Sequence, residues 1–185
     1  VAELHHHEER TLIFAPGLTY QDETGVHDVM RGEETQIAGF LAANPGYDGM
    51  VCLPGTHSKW ARLKGGMIEG FRTVMTGELF ALISTRSVLR HTVAVAGWDE
   101  PAFQAAVAEA LAAPEALTAK LFGLRAGALL DGLAPEEARA RLSGLLIGTE
   151  LAATRRDWQG RPVALIGESG LAQAYRHALA LQGCA

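Results

Sequence analysis

Hydrophobic positions along this chain change their period several times, and each change predicts an element. The run Thr11-Leu12-Ile13-Phe14-Ala15 reads as a short apolar strand stopped by Pro16-Gly17, after which the chain is polar and loop-like. From Gly32 the spacing of Ile37, Phe40 and Leu41 is helical, and the helix ends near Asn44-Pro45-Gly46. Met50-Val51-Cys52-Leu53 then reads as a buried strand. Trp60-Ala61-Arg62-Leu63, followed by Lys64-Gly65-Gly66, reads as the second strand of a hairpin, and Met67 to Phe71 as a third strand. Helices follow at Gly77 to Leu89 and at Glu100 to Ala112, the second opened by Asp99-Glu100-Pro101 in a good capping arrangement.

The segment from Pro114 to Leu151 is rich in Ala and Leu and helical, broken at Gly132 and restarted by Ala134-Pro135-Glu136-Glu137. After the turn Asp157-Trp158-Gln159-Gly160, the continuous apolar run Pro162 to Ile166 is the pattern of a strand buried on both faces. Gly167-Glu168-Ser169-Gly170 turns from that strand into a helix carrying Leu171, Ala174, Tyr175 and Ala178. The fold class is therefore α/β, with helices dominating the middle. There is no internal repeat, low-complexity tract or evident linker.

Composition narrows the picture. With 185 residues, 48% of them hydrophobic, the chain can bury a real core. A net charge of −5 without a dense Lys/Arg cluster argues against a nucleic-acid surface. No apolar run approaches the ~20 residues that cross a bilayer, and the start has no secretory apolar region. Two cysteines, Cys52 and Cys184, lie too far apart for metal-ligand spacing and are too few for a disulfide framework, which suits a reducing, cytoplasmic setting. His5-His6-His7, in a short terminal segment, are read as solvated and mobile residues rather than as a metal site.

Three turns carry candidate chemistry. In Leu53-Pro54-Gly55-Thr56-His57-Ser58-Lys59-Trp60, small, hydroxyl and cationic groups follow an apolar lead-in, so Gly55, Thr56, His57 and Lys59 are candidates to hold an anion. An ordinary polar hairpin turn accounts for the same residues when the turn is taken alone. It is not a P-loop, since the glycine–lysine spacing is absent. Glu33 and Glu34 open a helix, where they either complement its dipole or do acid–base work, and Arg31 beside them is suited to a carboxylate or to a surface ion pair. Thr76-Gly77-Glu78 begins another helix, where capping alone would explain Thr76. Gly167-Glu168-Ser169-Gly170 has the look of a nucleotide turn, or of a tight strand-to-helix turn with no ligand. It is not a nucleophile elbow, because Leu171 stands where the second glycine belongs.

Taken in order, Asp28-Val29-Met30-Arg31-Gly32-Glu33-Glu34-Thr35-Gln36, the Pro54 to Trp60 turn, and Phe71-Arg72-Thr73-Val74-Met75-Thr76-Gly77-Glu78-Leu79-Phe80 resemble the 2-dehydro-3-deoxygalactonokinase family of sugar-acid kinases, within the actin-like ATPase superfamily. The likeness runs from about Ala15 to Ala185. It implies two ribonuclease-H-like lobes around a cleft, with residues 1–30 the end of an incomplete N-terminal lobe and 31–185 the C-terminal lobe, its last elements missing. The Asp-Trp-Gly-Thr-type turn expected in the first lobe does not occur here. The implied activity is ATP- and Mg²⁺-dependent phosphorylation of the 6-hydroxyl of 2-dehydro-3-deoxy-D-galactonate. Another sugar or sugar acid, or a non-catalytic nucleotide-binding module, are the alternatives. On the same basis Glu33 is the expected general base, with Asp28 and Glu34 as fallbacks. Gly55, Thr56, His57 and Lys59 would meet the phosphates, Gly167, Glu168, Ser169 and Gly170 the adenosine, and Arg31, Thr76 and Glu78 the sugar acid. The expected partners are these small molecules, with a twin copy as a further one.

Overall fold

The computed structural model describes residues 3–7, 10–167 and 169–184, with side chains from Ala15 onward except that of Ser169. Two antiparallel hairpins lead the chain: β1 (Glu3–His7) with β2 (Arg10–Phe14), and β3 (Leu18–Gln21) with β4 (His27–Met30). The histidines expected in a mobile segment thus lie in a paired strand. The second hairpin replaces the expected polar loop, and its turn explains why. Asp22 Oδ1 accepts from the amides of Thr24 and Val26 at 2.9 and 3.0 Å, and Gly25 takes φ 86°. That is a side-chain-built turn. Its flanking strands lack the apolar alternation that marks a strand, because most of their residues are exposed.

The main sheet has four strands, β5 (Gly49–Leu53), β6 (Ser58–Lys64), β7 (Met67–Val74) and β8 (Val163–Leu165), in the order β7-β6-β5-β8. β5, β6 and β7 form an antiparallel meander, and β8 returns parallel to β5. β5 is buried throughout. β8 is an edge strand, so the Val163–Leu165 run expected to be fully buried is half-buried instead. The pleat sorts side chains to opposite faces. Val51, Leu53, Ala61, Leu63 and Phe71 join Met30 and Ile37, the last from α1 (Glu33–Ala43). Met50, Cys52 and Trp60 face the other way, against α3 (Glu100–Ala112), α5 (Pro135–Ala153) and α7 (Ser169–Ala180).

Between β7 and β8 the chain builds a helical layer from α2 (Thr76–Arg86), α3, α4 (Leu117–Leu130) and α5, packed around Leu89, Leu142 and Leu145; the short α6 (Arg155–Trp158) leads back to the sheet. α2 stops three residues before the expected Leu89. Ser87 turns to an extended conformation and its Oγ accepts from the Leu89 amide at 3.0 Å, opening a 3₁₀ turn over Val88–His91. α3 and α5 touch along their backbones. A Cβ on Gly144 would lie 2.5 Å from the Phe103 carbonyl, and one on Gly148 would lie 2.7 Å from that of Val107. Glycine four residues apart on α5, facing Ala106 and Ala110, sets that approach.

Candidate functional site

β5 and β8 are parallel and end side by side, which places the two turns that follow them in contact. A Cβ on Gly167 would sit 3.3 Å from the Pro54 carbonyl. Ligands of α/β sheets gather at the carboxyl ends of parallel strands, because the chain there leaves the sheet and opens a crevice. Here that crevice is a cleft of about 1390 Å³ between the sheet and the helical layer. One wall carries Glu33, Gln36, Gly55, Thr56, His57, Thr76 and Gly77, and the other Val95, Trp98, Arg139 and His177, with Gly167 and Gly170 between.

The Gly55–Thr56 turn is held by the start of α2. The Glu78 amide donates to the Thr56 carbonyl at 2.9 Å, and a Cβ on Gly77 would fall 2.2 Å from the Gly55 oxygen. Only glycine permits that approach. The first amides of α2, which carry the positive end of the helix dipole, are thereby brought against the turn. His57 Nε2 lies 2.5 Å from Glu78 Oε2, so the imidazole is steered by the same helix.

Beneath this wall is a buried carboxylate. Glu150, 2% exposed, accepts from Trp60 Nε1 at 2.7 Å on one oxygen, and from the Thr76 hydroxyl and Tyr175 OH, the latter at 2.7 Å, on the other. Tyr175 OH is also 2.8 Å from Ser58 Oγ. Burial pushes the Glu150 carboxyl up from its ordinary range, opposed by the hydrogen bonds it accepts. Tyr175 is pushed well up by burial and then by the Glu150 charge. At the opposite wall Glu100 takes Trp98 Nε1 at 2.8 Å, Gln104 Nε2 at 2.9 Å and His177 Nδ1 at 2.7 Å. Burial would raise its pKa, but these bonds outweigh it and hold the carboxyl low.

The sequence-derived candidates separate into two groups. Glu33, Gly55, Thr56, His57, Thr76, Gly167 and Gly170 line one cleft although they come from four separate segments. Glu78 joins through His57. Glu33 Oε2 accepts from the Arg31 amide at 3.1 Å, a helix-start contact that leaves its other oxygen available. Lys59 is placed elsewhere: strand alternation aims it with Ala61 and Leu63, and its Nζ donates to the Val29 carbonyl at 2.7 Å and Thr73 Oγ1 at 2.6 Å. Asp28 shares that cluster, accepting from the Thr73 amide at 2.6 Å, and is not part of the cleft wall. Glu34 folds back to accept from the Gly32 amide at 2.7 Å. Arg31 is exposed ahead of α1. Ser169 opens α7, and Glu168 lies outside the described residues. Sequence reasoning missed Gln36, Trp98, Glu100, His177 and Glu150. The one available signal was Glu150, a lone acid in the apolar stretch Leu145 to Leu151.

Comparison with known proteins gives this cleft a setting. A family profile described as 2-keto-3-deoxy-galactonokinase matches residues 1–185. The chain is 45% identical over 179 residues to a probable 2-dehydro-3-deoxygalactonokinase, DgoK1, of Rhizobium meliloti (strain 1021), covering 95% of this chain and 58% of that protein. It is 37% identical over 171 residues to the 2-dehydro-3-deoxygalactonokinase of Escherichia coli (strain K12), covering 91% of this chain and 57% of the relative. A crystal structure of a Sinorhizobium meliloti protein assigned as a 2-dehydro-3-deoxygalactonokinase superposes with a TM-score of 0.92 at 43% identity, over 100% of this chain and 60% of that one. The chain thus spans less than two thirds of each of these relatives.

Proposed function

The chain belongs to the 2-keto-3-deoxy-galactonokinase family, and from that premise we propose that it forms the nucleotide-binding part of an ATP-dependent sugar-acid kinase. The substrate would be 2-dehydro-3-deoxy-D-galactonate and the product its 6-phosphate. Residues 31–185 are read as the C-terminal lobe of an actin-like, ribonuclease-H-like pair, and residues 1–30 as the end of the first lobe. An antiparallel meander with a parallel fourth strand and helices on both faces supports that reading. A cytoplasmic setting agrees with the buried thiol of Cys52 and the unpaired Cys184.

The single observation that carries the function is the convergence of Glu33, the Gly55–Thr56–His57 turn, Gly167 and Gly170 on one cleft. Phosphoryl transfer to an alcohol needs a group to take the hydroxyl proton and donors to hold the phosphates. Glu33 takes the first role, receiving the proton of the 6-hydroxyl on the oxygen not held by the Arg31 amide. The second falls to Thr56 and the backbone of the Gly55 turn, backed by the first amides of α2. Lys59, tied to Val29 and Thr73, has no part in it.

No group of three ligating side chains occurs among the described residues. A magnesium ion fits this cleft as one held mainly by nucleotide phosphates, with the Thr56 hydroxyl as a further oxygen. When bound it would neutralise charge on the phosphates.

The test is ATP-dependent phosphorylation by the complete protein, followed as ADP release over a panel of 2-keto-3-deoxy sugar acids and simple hexoses. Turnover is expected with 2-dehydro-3-deoxy-D-galactonate, and Glu33→Gln should lower kcat by about 100-fold or more. Turnover of hexoses with none of the acids would remove the substrate assignment. Full activity in Glu33→Gln would remove the base.

A further inference from the structure

Glu150 is the most deeply buried carboxylate among the described residues, and it neither takes the substrate proton nor holds a phosphate in the proposed transfer. Among the described residues no Lys or Arg partners it. Instead three side-chain donors converge on its two oxygens, each from a different element: Trp60 from β6, Thr76 from the first residue of α2, and Tyr175 from α7. Each of these anchors a wall. Trp60 is on the strand that leaves the Gly55–His57 turn, Thr76 precedes the Gly77 that touches Gly55, and Tyr175 is on the helix that begins beside Gly167.

The Thr76 hydroxyl donates its single proton to Glu150 and is not free for a phosphate oxygen. Thr76 contributes to the cleft by where it holds the start of α2, rather than as a donor. An apolar side chain at position 150 would leave the Trp60, Thr76 and Tyr175 donors buried without this acceptor, at a cost in desolvation. One acceptor shared by the three fixes the relation of elements that apolar packing alone leaves free to slide.

We propose that Glu150 is a positioning residue that acts through Thr76, setting the start of α2 and Gly77 against the Gly55–Thr56 turn for phosphoryl transfer. The inference rests on the reading of this cleft as the phosphoryl-transfer site. Small displacements of a positioned turn lower the rate far more than they weaken binding. Loss of the contact should thus appear in kcat.

The experiment is a double-mutant cycle in the complete protein with Glu150→Gln and Thr76→Val, both close in shape to the residues they replace. Each single variant should lower kcat by about 10-fold or more with the KM for the sugar acid moved less than about twofold. The double variant should be no slower than Thr76→Val alone, and Thr76→Ser, which keeps the hydroxyl, should restore most of the rate. A merely structural carboxylate would instead lower the melting temperature and leave kcat per folded molecule unchanged. That result, or losses that multiply in the double variant, overturns the inference. Should Glu150→Gln fail to fold, Thr76→Ser against Thr76→Val decides: equal kcat in the two overturns it, and a loss confined to valine supports it. Inactivity of the wild-type protein with every sugar acid and with ATP bound by no measure overturns the reading of the cleft and this inference together.

Discussion

Gly77→Ala tests the geometry at the centre of the site. The substituted Cβ would lie 2.2 Å from the Gly55 carbonyl oxygen, 2.8 Å from Thr56 Cα and 3.0 Å from the Gly55 carbonyl carbon. All three atoms are backbone, so no side chain can swing aside. Ordinary contact begins near 3.4 Å, which requires the turn and the start of α2 to part by more than about 1 Å. That shift breaks the 2.9 Å bond from the Glu78 amide to Thr56 and pulls the His57–Glu78 pair with it. Overpacking of this kind costs about 2 kcal/mol, or roughly 4–8 °C in melting temperature for a chain of this size. The kinetic cost is larger. A misplacement of ~1 Å in a phosphate-holding turn lowers kcat/KM by about 100-fold. The assay is ADP release at a temperature well below both melting points, so that unfolded protein does not contribute. Gly123→Ala on α4, whose Cβ would meet nothing within 4 Å, is the control. It should be as active as the parent and more stable by about 0.5–1 kcal/mol, since alanine is the better helix former. A Gly77→Ala protein with parental kinetics would refute the close approach as a determinant of the site.

Two further outcomes are expected. Gly148→Ala puts a Cβ 2.7 Å from the Val107 carbonyl and 2.8 Å from Ala110 Cβ, so α3 and α5 must separate; a fall in stability of about 1–3 kcal/mol by urea denaturation is expected, and an unchanged midpoint would remove the backbone contact. Glu150 predicts a pH dependence. Its carboxyl is raised by burial above the ordinary 4.5, so the folded protein holds that proton more tightly than the unfolded chain. The stability this contributes is complete at pH below 4.5 and is lost as pH rises through the raised folded value. Melting temperatures of the parent relative to Glu150→Gln should therefore fall as pH rises above 4.5, and a difference that stays flat with rising pH would contradict the shift.

Much of the element order was written in local pattern. α1 and α3 begin and end within a residue or so of where caps and period place them, because Gly32, Asp99 and Asn44-Pro45-Gly46 act within a turn of the helix they bound. The β3–β4 hairpin was invisible because its turn is made by hydrogen bonds to the Asp22 side chain and its strands bury almost nothing. Motif residues next to glycine turns, Gly55, Thr56, His57 and Gly167, reached the cleft, since a turn at the end of a strand has little choice of direction. Lys59 did not, because a charge alone does not say which face of the pleat it takes.

The sequence by itself determined the α/β class, the order of strands and helices from α1 onward, the turns that end β5 and β8, and the family, all of which depend on neighbours within a few residues or on residue order. Only the tertiary structure decided which of those turns share a cleft. It set β8 beside β5 rather than beside β7, brought Gly77 against Gly55, turned Lys59 and Asp28 to the far side of the sheet, and gathered Trp60, Thr76 and Tyr175 on Glu150 across as many as 90 positions of chain. These are contacts between distant segments, fixed by packing and by the need of buried polar groups for partners, and neither is a property of any short stretch of sequence.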